Sequence, residues 1–223
     1  MLHVLYRRLH RLAERTTWEK FYAARAKSDP LDWFLDYQHL KSVLQPWIFS
    51  NYHQDFAVLD LGCGISDMAA HIFLDLLNKT GKVDCIDFSQ TAIERMQKKY
   101  KHCFNHSNHR LSYICADATS LPFADCSYDM VLDKGTMDAA IRHQNGEVMG
   151  EKIIAEALRV MACPSQFVQI SDEDPDVRLQ LLYRCCNLYR ENTKSYQTSV
   201  KFRELGSFSG IEYLMYTIEK KLA

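Results

Sequence analysis

Two glycines and two aspartates carry the first chemical signal. Asp60, Gly62 and Gly64 stand in the run Val58-Leu59-Asp60-Leu61-Gly62-Cys63-Gly64, and Asp87 ends the next apolar run. An apolar strand running into Gly-x-Gly and then a helix lets the backbone approach a ligand closely, because glycine adopts conformations closed to other residues and has no side chain in the way. In nucleotide-binding α/β folds an acid at the end of the second strand accepts the ribose hydroxyls. A dinucleotide site would want a third glycine near position 67, where the helix packs against a pyrophosphate. The residue there is Asp67. A negative side chain at a helix N-terminus competes with a phosphate for the same amides. The residues therefore point to a nucleoside that lacks a phosphate at this turn. The bland alternative is a tight turn flanked by two incidental surface acids.

Two further strand ends fall in the same pattern. Ala116-Asp117-Ala118 follows the third predicted strand, where a carboxylate could accept a hydrogen bond from an adenine amine. Asp133-Lys134-Gly135 follows the fourth. Taken singly, Asp117 reads as a turn former and Lys134 as a solvated charge. Ligands of open α/β sheets sit at the carboxyl ends of the strands, so the shared location is what matters. S-adenosylmethionine, with its ribose, adenine and zwitterionic methionine tail, fits such a site.

The elements that must hold these residues alternate along the chain. A rough apolar stripe predicts a helix over 31–50. Phe56 to Leu61 reads as a buried strand, and Ser66 as the cap of a helix carrying Ala69, Ile72, Phe73, Leu76 and Leu77. Val83 to Ile86 is a strand, followed by a helix capped by Ser89. Leu111 to Cys115 and Met130 to Leu132 are strands, 147–161 a helix, Phe167 to Ile170 a strand and 176–190 a helix. Residues 196–203 and 212–219 read as two strands joined by Gly206-Ser207-Phe208-Ser209-Gly210. Alternating strands and helices imply a parallel sheet. The predicted fold class is α/β: a Rossmann-like, seven-stranded, mostly parallel sheet with an antiparallel terminal strand and helices on both faces.

Composition sets the remaining bounds. With 223 residues and a net charge of −1, the chain has the size of one domain and no global field for nucleic acid or anionic lipid. Neither partner is expected, and no apolar run approaches the length of a membrane span. The eight cysteines form no CxxC pair and read as reduced thiols, Cys185 and Cys186 among them as core residues. His102, Cys103, His106 and His109 have spacings that could bind zinc, but no second cluster completes a site, so no metal is expected. Residues 1–17 carry Arg7, Arg8, Arg11 and Arg15 among leucines with Glu14 as the only acid. That pattern suits a mitochondrial presequence or an ordinary basic first helix.

DLGCG at 60–64, CIDFS at 85–89 and ADA at 116–118 resemble the seven-β-strand methyltransferase superfamily. WEKFY at 18–22, DWF at 32–34 and DKGTMDA at 133–139 resemble a narrower group within it, the protein-lysine methyltransferases acting on elongation factor one-alpha and on mitochondrial citrate synthase. SDEDPDVRL at 171–179 and ELGSFSGIEY at 204–213 are similar to its citrate synthase branch. The fourth strand lacks the Asn-Pro-Pro-Tyr type ending of amide and base-amine methyltransferases. The resemblance implies S-adenosylmethionine as cofactor, with Trp18, Tyr22, Trp33 and Lys134 in contact with it beside Asp60, Gly62, Gly64, Asp87, Phe88, Asp117 and Ala118. It implies a targeting segment at 1–17, a methyltransferase domain at 18–223, a protein substrate with citrate synthase foremost, and the mitochondrial matrix, with the cytoplasm as alternative. A monomer is expected.

The acidic segment after the fifth strand divides into two parts. Asp174 suits an N-cap, Pro175 the first helical position, and Asp176 the helix dipole. Asp172 and Glu173 are left without a capping role and are candidates to attract a lysine ammonium. The sequence names no catalytic base. Two other classes compete: a methyltransferase fold kept only as a binding module, and a small-molecule methyltransferase, which would be expected to carry an added lid or substrate domain.

Overall fold

Five consecutive buried residues, Ala57–Leu61, form β1. A strand buried on both faces is apolar throughout, and β1 lies between two parallel neighbours, β2 (Lys82–Asp87) and β4 (Tyr128–Lys134). The computed structural model describes residues 11–25, 31–78, 81–101, 110–193 and 195–223. β3 (Arg110–Cys115) extends the sheet beyond β2, and β5 (Met161–Ser171) extends it beyond β4. β7 (Ile211–Leu222) inserts antiparallel beside β5 and pairs outward with β6 (Tyr196–Phe208). The strand order is β3-β2-β1-β4-β5-β7-β6. The order reverses between β1 and β4, and crevices for ligands open at such a switch point.

Side chains alternate across the sheet and feed two cores. Val58, Val83, Leu111, Met130 and Val168 pack on one face with α1 (Arg15–Ala24), α2 (Tyr37–Asn51) and the helix that follows β1. Leu59, Ile86, Val131 and Phe167 pack on the other with α6 (Gly146–Val160) and α7 (Pro175–Thr193). The remaining helices are α3 (Met68–His71), continued by a π-helical turn over Ile72–Leu76, α4 (Gln90–Lys99) and α5 (Thr136–Ile141). The predicted fold class is thus the observed one. Among the described residues, no helix is long and apolar enough to cross a membrane.

Several boundaries differ from expectation: β5 starts at Met161, where the preceding helix was expected to end, six residues before the expected strand, and four other differences concern the site or the termini. The helix predicted from 31 starts at Tyr37, because Asp36 caps it (His39 N–H donates at 3.1 Å) and Phe34 sits at φ 62°, outside helical space. Residues 31–35 become the loop that carries Asp32 and Trp33. The boundary expected at residue 17 lies within α1, which starts at Arg15. Thr136–Ile141 forms a further helix, outside those expected from the apolar stripes. Finally, Gly206 does not turn the terminal hairpin: it lies in β6 at a register shift, and Ser209 and Gly210, both at positive φ, make a two-residue turn.

Candidate functional site

The carboxyl ends of β1 to β5 surround a cavity of about 860 Å³. Gly62 lines it, while Gly64 does not. Both glycines have positive φ, and the space their missing side chains free is taken by protein: a Cβ on Gly62 would lie 1.9 Å from Thr136 Oγ1, and one on Gly64 2.6 Å from the Tyr22 hydroxyl. Gly64 therefore supports the site from behind rather than touching a ligand through the cavity. Its amide donates to Asp87 Oδ2 at 2.9 Å, and the Ser89 amide donates to Oδ1 at 2.7 Å. The amide a pyrophosphate would need is already used. Asp67 plays a different part from the one its position suggested. It turns to Lys99 Nζ at 2.6 Å and the Tyr100 hydroxyl at 2.8 Å and makes no cap hydrogen bond, while Ser66 Oγ accepts from Met68 N–H at 3.1 Å.

Asp87 is 5% exposed, and burial pushes its carboxyl up to about 6 against the two amides that lower it. It lines the cavity with Phe88, Asp117 and Ala118. Asp117 also serves its turn: its Oδ1 accepts from the Thr119 amide at 2.8 Å and hydroxyl at 2.7 Å. The facing wall is aromatic. Trp18 stacks on Tyr22, with ring centroids 5.6 Å apart, and meets Trp33 edge-on at 5.4 Å. Glu19 on α1 ties this wall to the sheet by accepting from the amides of Gln90 and Thr91, at 2.7 and 3.2 Å, at the start of α4. Arg95 of α4 donates back to the Tyr22 carbonyl at 2.9 Å. The role of Glu19 had no signal in the sequence beyond its place in WEKFY.

Beside Gly62 a small annex is lined by Asp60, Trp33, Ser66 and Lys134. Lys134 Nζ donates to the Trp33 carbonyl at 2.7 Å and to Asp32 Oδ1 at 3.2 Å, and Ser66 Oγ donates to the same carboxylate. Asp60 is 4% exposed, and burial pushes it up to about 7, with Lys134 opposing and Asp133 adding to the rise. The Trp33 indole N–H is buried and has no hydrogen-bond partner among the described residues. A buried unpaired donor calls for an acceptor.

The far side of the cavity is built from β4, α5 and β5. Asp133 accepts from the Thr136 amide at 2.8 Å and from Gln169 Nε2 at 2.7 Å, which fixes the start of α5; burial and the charge of Asp138 push its carboxyl up to about 7. Asp138 lines the cavity and pairs through Oδ1 with Arg178 of α7 at 2.7 Å. Asp172 lines the cavity, and Glu173 does not. Glu173 Oε1 faces the neighbouring Asp174 amide at 3.2 Å, and its carbonyl accepts from the Tyr216 hydroxyl at 2.6 Å. These local bonds turn it from the site. The β6–β7 hairpin closes the rim with Phe208, Ile211 and Tyr213. Among the described residues no cluster of His, Cys, Asp or Glu could hold a metal, and His102, Cys103, His106 and His109 lie outside them.

A methyltransferase-domain family profile matches residues 58–163, the segment from β1 to β5 that carries most of these strand ends. The human mitochondrial citrate synthase-lysine N-methyltransferase is 31% identical over 220 residues, covering 93% of this chain and 87% of that protein. The chain belongs to the S-adenosylmethionine-dependent methyltransferases. The mouse elongation factor EEF1A lysine methyltransferase 4 is 26% identical to this methyltransferase over 171 residues, covering 73% of this chain and 62% of that protein. Among solved structures, the N-methyltransferase NodS from Bradyrhizobium japonicum, bound to S-adenosyl-L-homocysteine, has the same fold: TM-score 0.61 at 14% identity, with 93% and 98% of the two chains covered.

S-adenosylmethionine is the cofactor of this methyltransferase, and the residues present fit it. The cavity offers a carboxylate at the ribose position of the fold, an aromatic wall, and an annex holding both charges that a zwitterionic amino acid tail requires. The unpaired Trp33 indole N–H in that annex suits a carboxylate acceptor. Arg15, read in the sequence as part of a basic leader, lines the same cavity.

Proposed function

We propose that this methyltransferase modifies a lysine side chain of a protein, that citrate synthase is its substrate, and that it acts in the mitochondrial matrix. The observation that carries the reading is the 31% identity to the human citrate synthase-lysine N-methyltransferase along 93% of the chain, against 14% for NodS over the same share. The arrangement of the cavity supports it. Cofactor-binding groups gather at the ends of β1 to β3 with Lys134 of β4, while Asp138 and Asp172, which would attract an ammonium, follow β4 and β5.

When bound, the cofactor supplies a methyl group on a sulfonium. Asp87 accepts the ribose hydroxyls, and Asp117 with Ala118 borders the adenine beside Phe88. Trp33, Lys134, Asp60 and Gly62 hold the methionine tail, while Trp18 and Tyr22 keep water from the sulfonium side. Gly64 and Glu19 fix the walls. Asp172 draws the target ammonium to the rim. The amine must be neutral to attack, although its ordinary pKa is about 10.4. The largely apolar lining of the cavity assists by disfavouring the charged form.

The experiment is a parallel incubation of citrate synthase and elongation factor one-alpha with methyl-labelled cofactor. Label on citrate synthase lysine is the expected result. Label on elongation factor one-alpha instead would move the substrate and, with it, the compartment.

A further inference from the structure

One carboxylate in the cavity has a free oxygen and no task in cofactor binding. Asp138 sits on α5, 7% exposed, at the end of the cavity formed by β4 and β5. Its Oδ1 is heavily used: Arg178 Nη2 donates at 2.7 Å and the Ser171 hydroxyl at 2.5 Å. Its Oδ2 is buried and has no hydrogen-bond partner among the described residues. A buried carboxylate oxygen left without a donor is costly, so a site that retains one has a donor to receive.

The other carboxylates that line the cavity are differently placed. Asp32 holds Lys134 and Ser66, Asp87 holds two amides, and Asp117 closes its own turn. Asp172 is close enough to Asp138 for its charge to act on it. Burial raises the Asp138 carboxyl, and the Arg178 guanidinium opposes that rise. Arg178, with a side chain 1% exposed, holds Oδ1 through a single N–H, and its own Nε and Nη1 are likewise without a partner among the described residues.

We propose that Asp138 receives the target lysine amine, its free Oδ2 accepting an N–H of that nitrogen and so aiming the lone pair at the methyl group. The inference rests on the protein-lysine reading. A neutral primary amine has two N–H donors and one lone pair, so anchoring a donor fixes the direction of attack. Asp172, at the same end of the cavity, attracts the ammonium as it arrives; the ammonium gives its proton to water, and Asp138 orients the neutral amine. The sequence placed Asp138 in the DKGTMDA motif without a role. Arg178, forty positions on, is what holds its other oxygen.

The test compares the unaltered chain with Asp138→Asn, each assayed for cofactor affinity, melting temperature, and kcat and KM toward the protein substrate. Asn preserves an oxygen for Arg178 and Ser171 and puts a donor where the acceptor stood. Cofactor affinity should change little, while kcat per cofactor-binding site falls about a hundredfold, as it does when a reacting atom is misplaced by an ångström. A purely structural role would lower the melting temperature and leave kcat per folded site intact. If Asp138→Asn fails to fold, Asp138→Leu with Arg178→Met removes the buried pair together, an exchange that is often neutral for stability. Full turnover in either variant overturns the inference and leaves lysine methylation standing. Label placed by the unaltered chain on arginine or a small molecule overturns both.

Discussion

Asp87 combines two demands that pull in opposite directions. It is buried, which disfavours its charge, and it accepts two backbone amides, which favour it. Removing it deletes the acceptor for the ribose hydroxyls, a charge-assisted interaction worth about 1.5–3 kcal/mol. Asp87→Ala should weaken cofactor binding about tenfold or more, measured by calorimetry; unchanged affinity would remove Asp87 from the site. Its titration gives a second expectation. The free-state carboxyl is raised from 3.8 to about 6, and the bound state needs the carboxylate, so binding releases the proton. Affinity should be full above about 6 and fall as pH drops through that value. A flat profile across this range would contradict the assignment. The placing of Asp60, Asp87 and Asp117 around the cavity was legible because motif and strand end coincide. Glu173 lies off the cavity because local backbone bonds, invisible in sequence, hold it there. Glu19 and Asp138 were illegible because their roles depend on partners far along the chain, Gln90 and Arg178.

At the scale of elements, the segment between β5 and α7 separates binding from capping. Asp174 Oδ1 accepts from the Asp176 amide at 2.7 Å, and its carbonyl accepts from Arg178 N–H at 2.9 Å. Asp174→Ala should cost about 0.5–2 kcal/mol of stability, as a lost N-cap does, with cofactor affinity unchanged. Chemical denaturation with parallel calorimetry checks this, and weakened cofactor binding at unchanged stability would reverse the assignment. The strands were legible from apolar runs that end at glycine or an acid. The start of α2 was not, because the stripe from Leu31 continues through Phe34, whose backbone leaves helical space. The hairpin turn was misplaced because Gly206 and Gly210 look alike in sequence; only pairing across the sheet tells the bulge from the turn.

At the scale of the whole molecule, α1 bears on both the site and the address. Arg15 and Leu12 line the cavity, and Trp18 donates to the Leu12 carbonyl at 2.5 Å, so the basic start and the fold overlap. Residues 1–25 fused to a reporter should carry it into mitochondria, and a diffuse cytosolic reporter would point to a cytosolic substrate. The seven-stranded sheet and its switch point were readable from alternation and the Gly-x-Gly turn, whereas the target protein is read only through the resemblance of segments such as SDEDPDVRL at 171–179. The most direct test of the central claim is site-resolved mass spectrometry of citrate synthase after incubation with this methyltransferase and labelled S-adenosylmethionine, with Asp87→Ala as the control. Label on a lysine that is strongly reduced in the control is the expected result; label on arginine, or on a small molecule with none on protein, would contradict protein-lysine methylation.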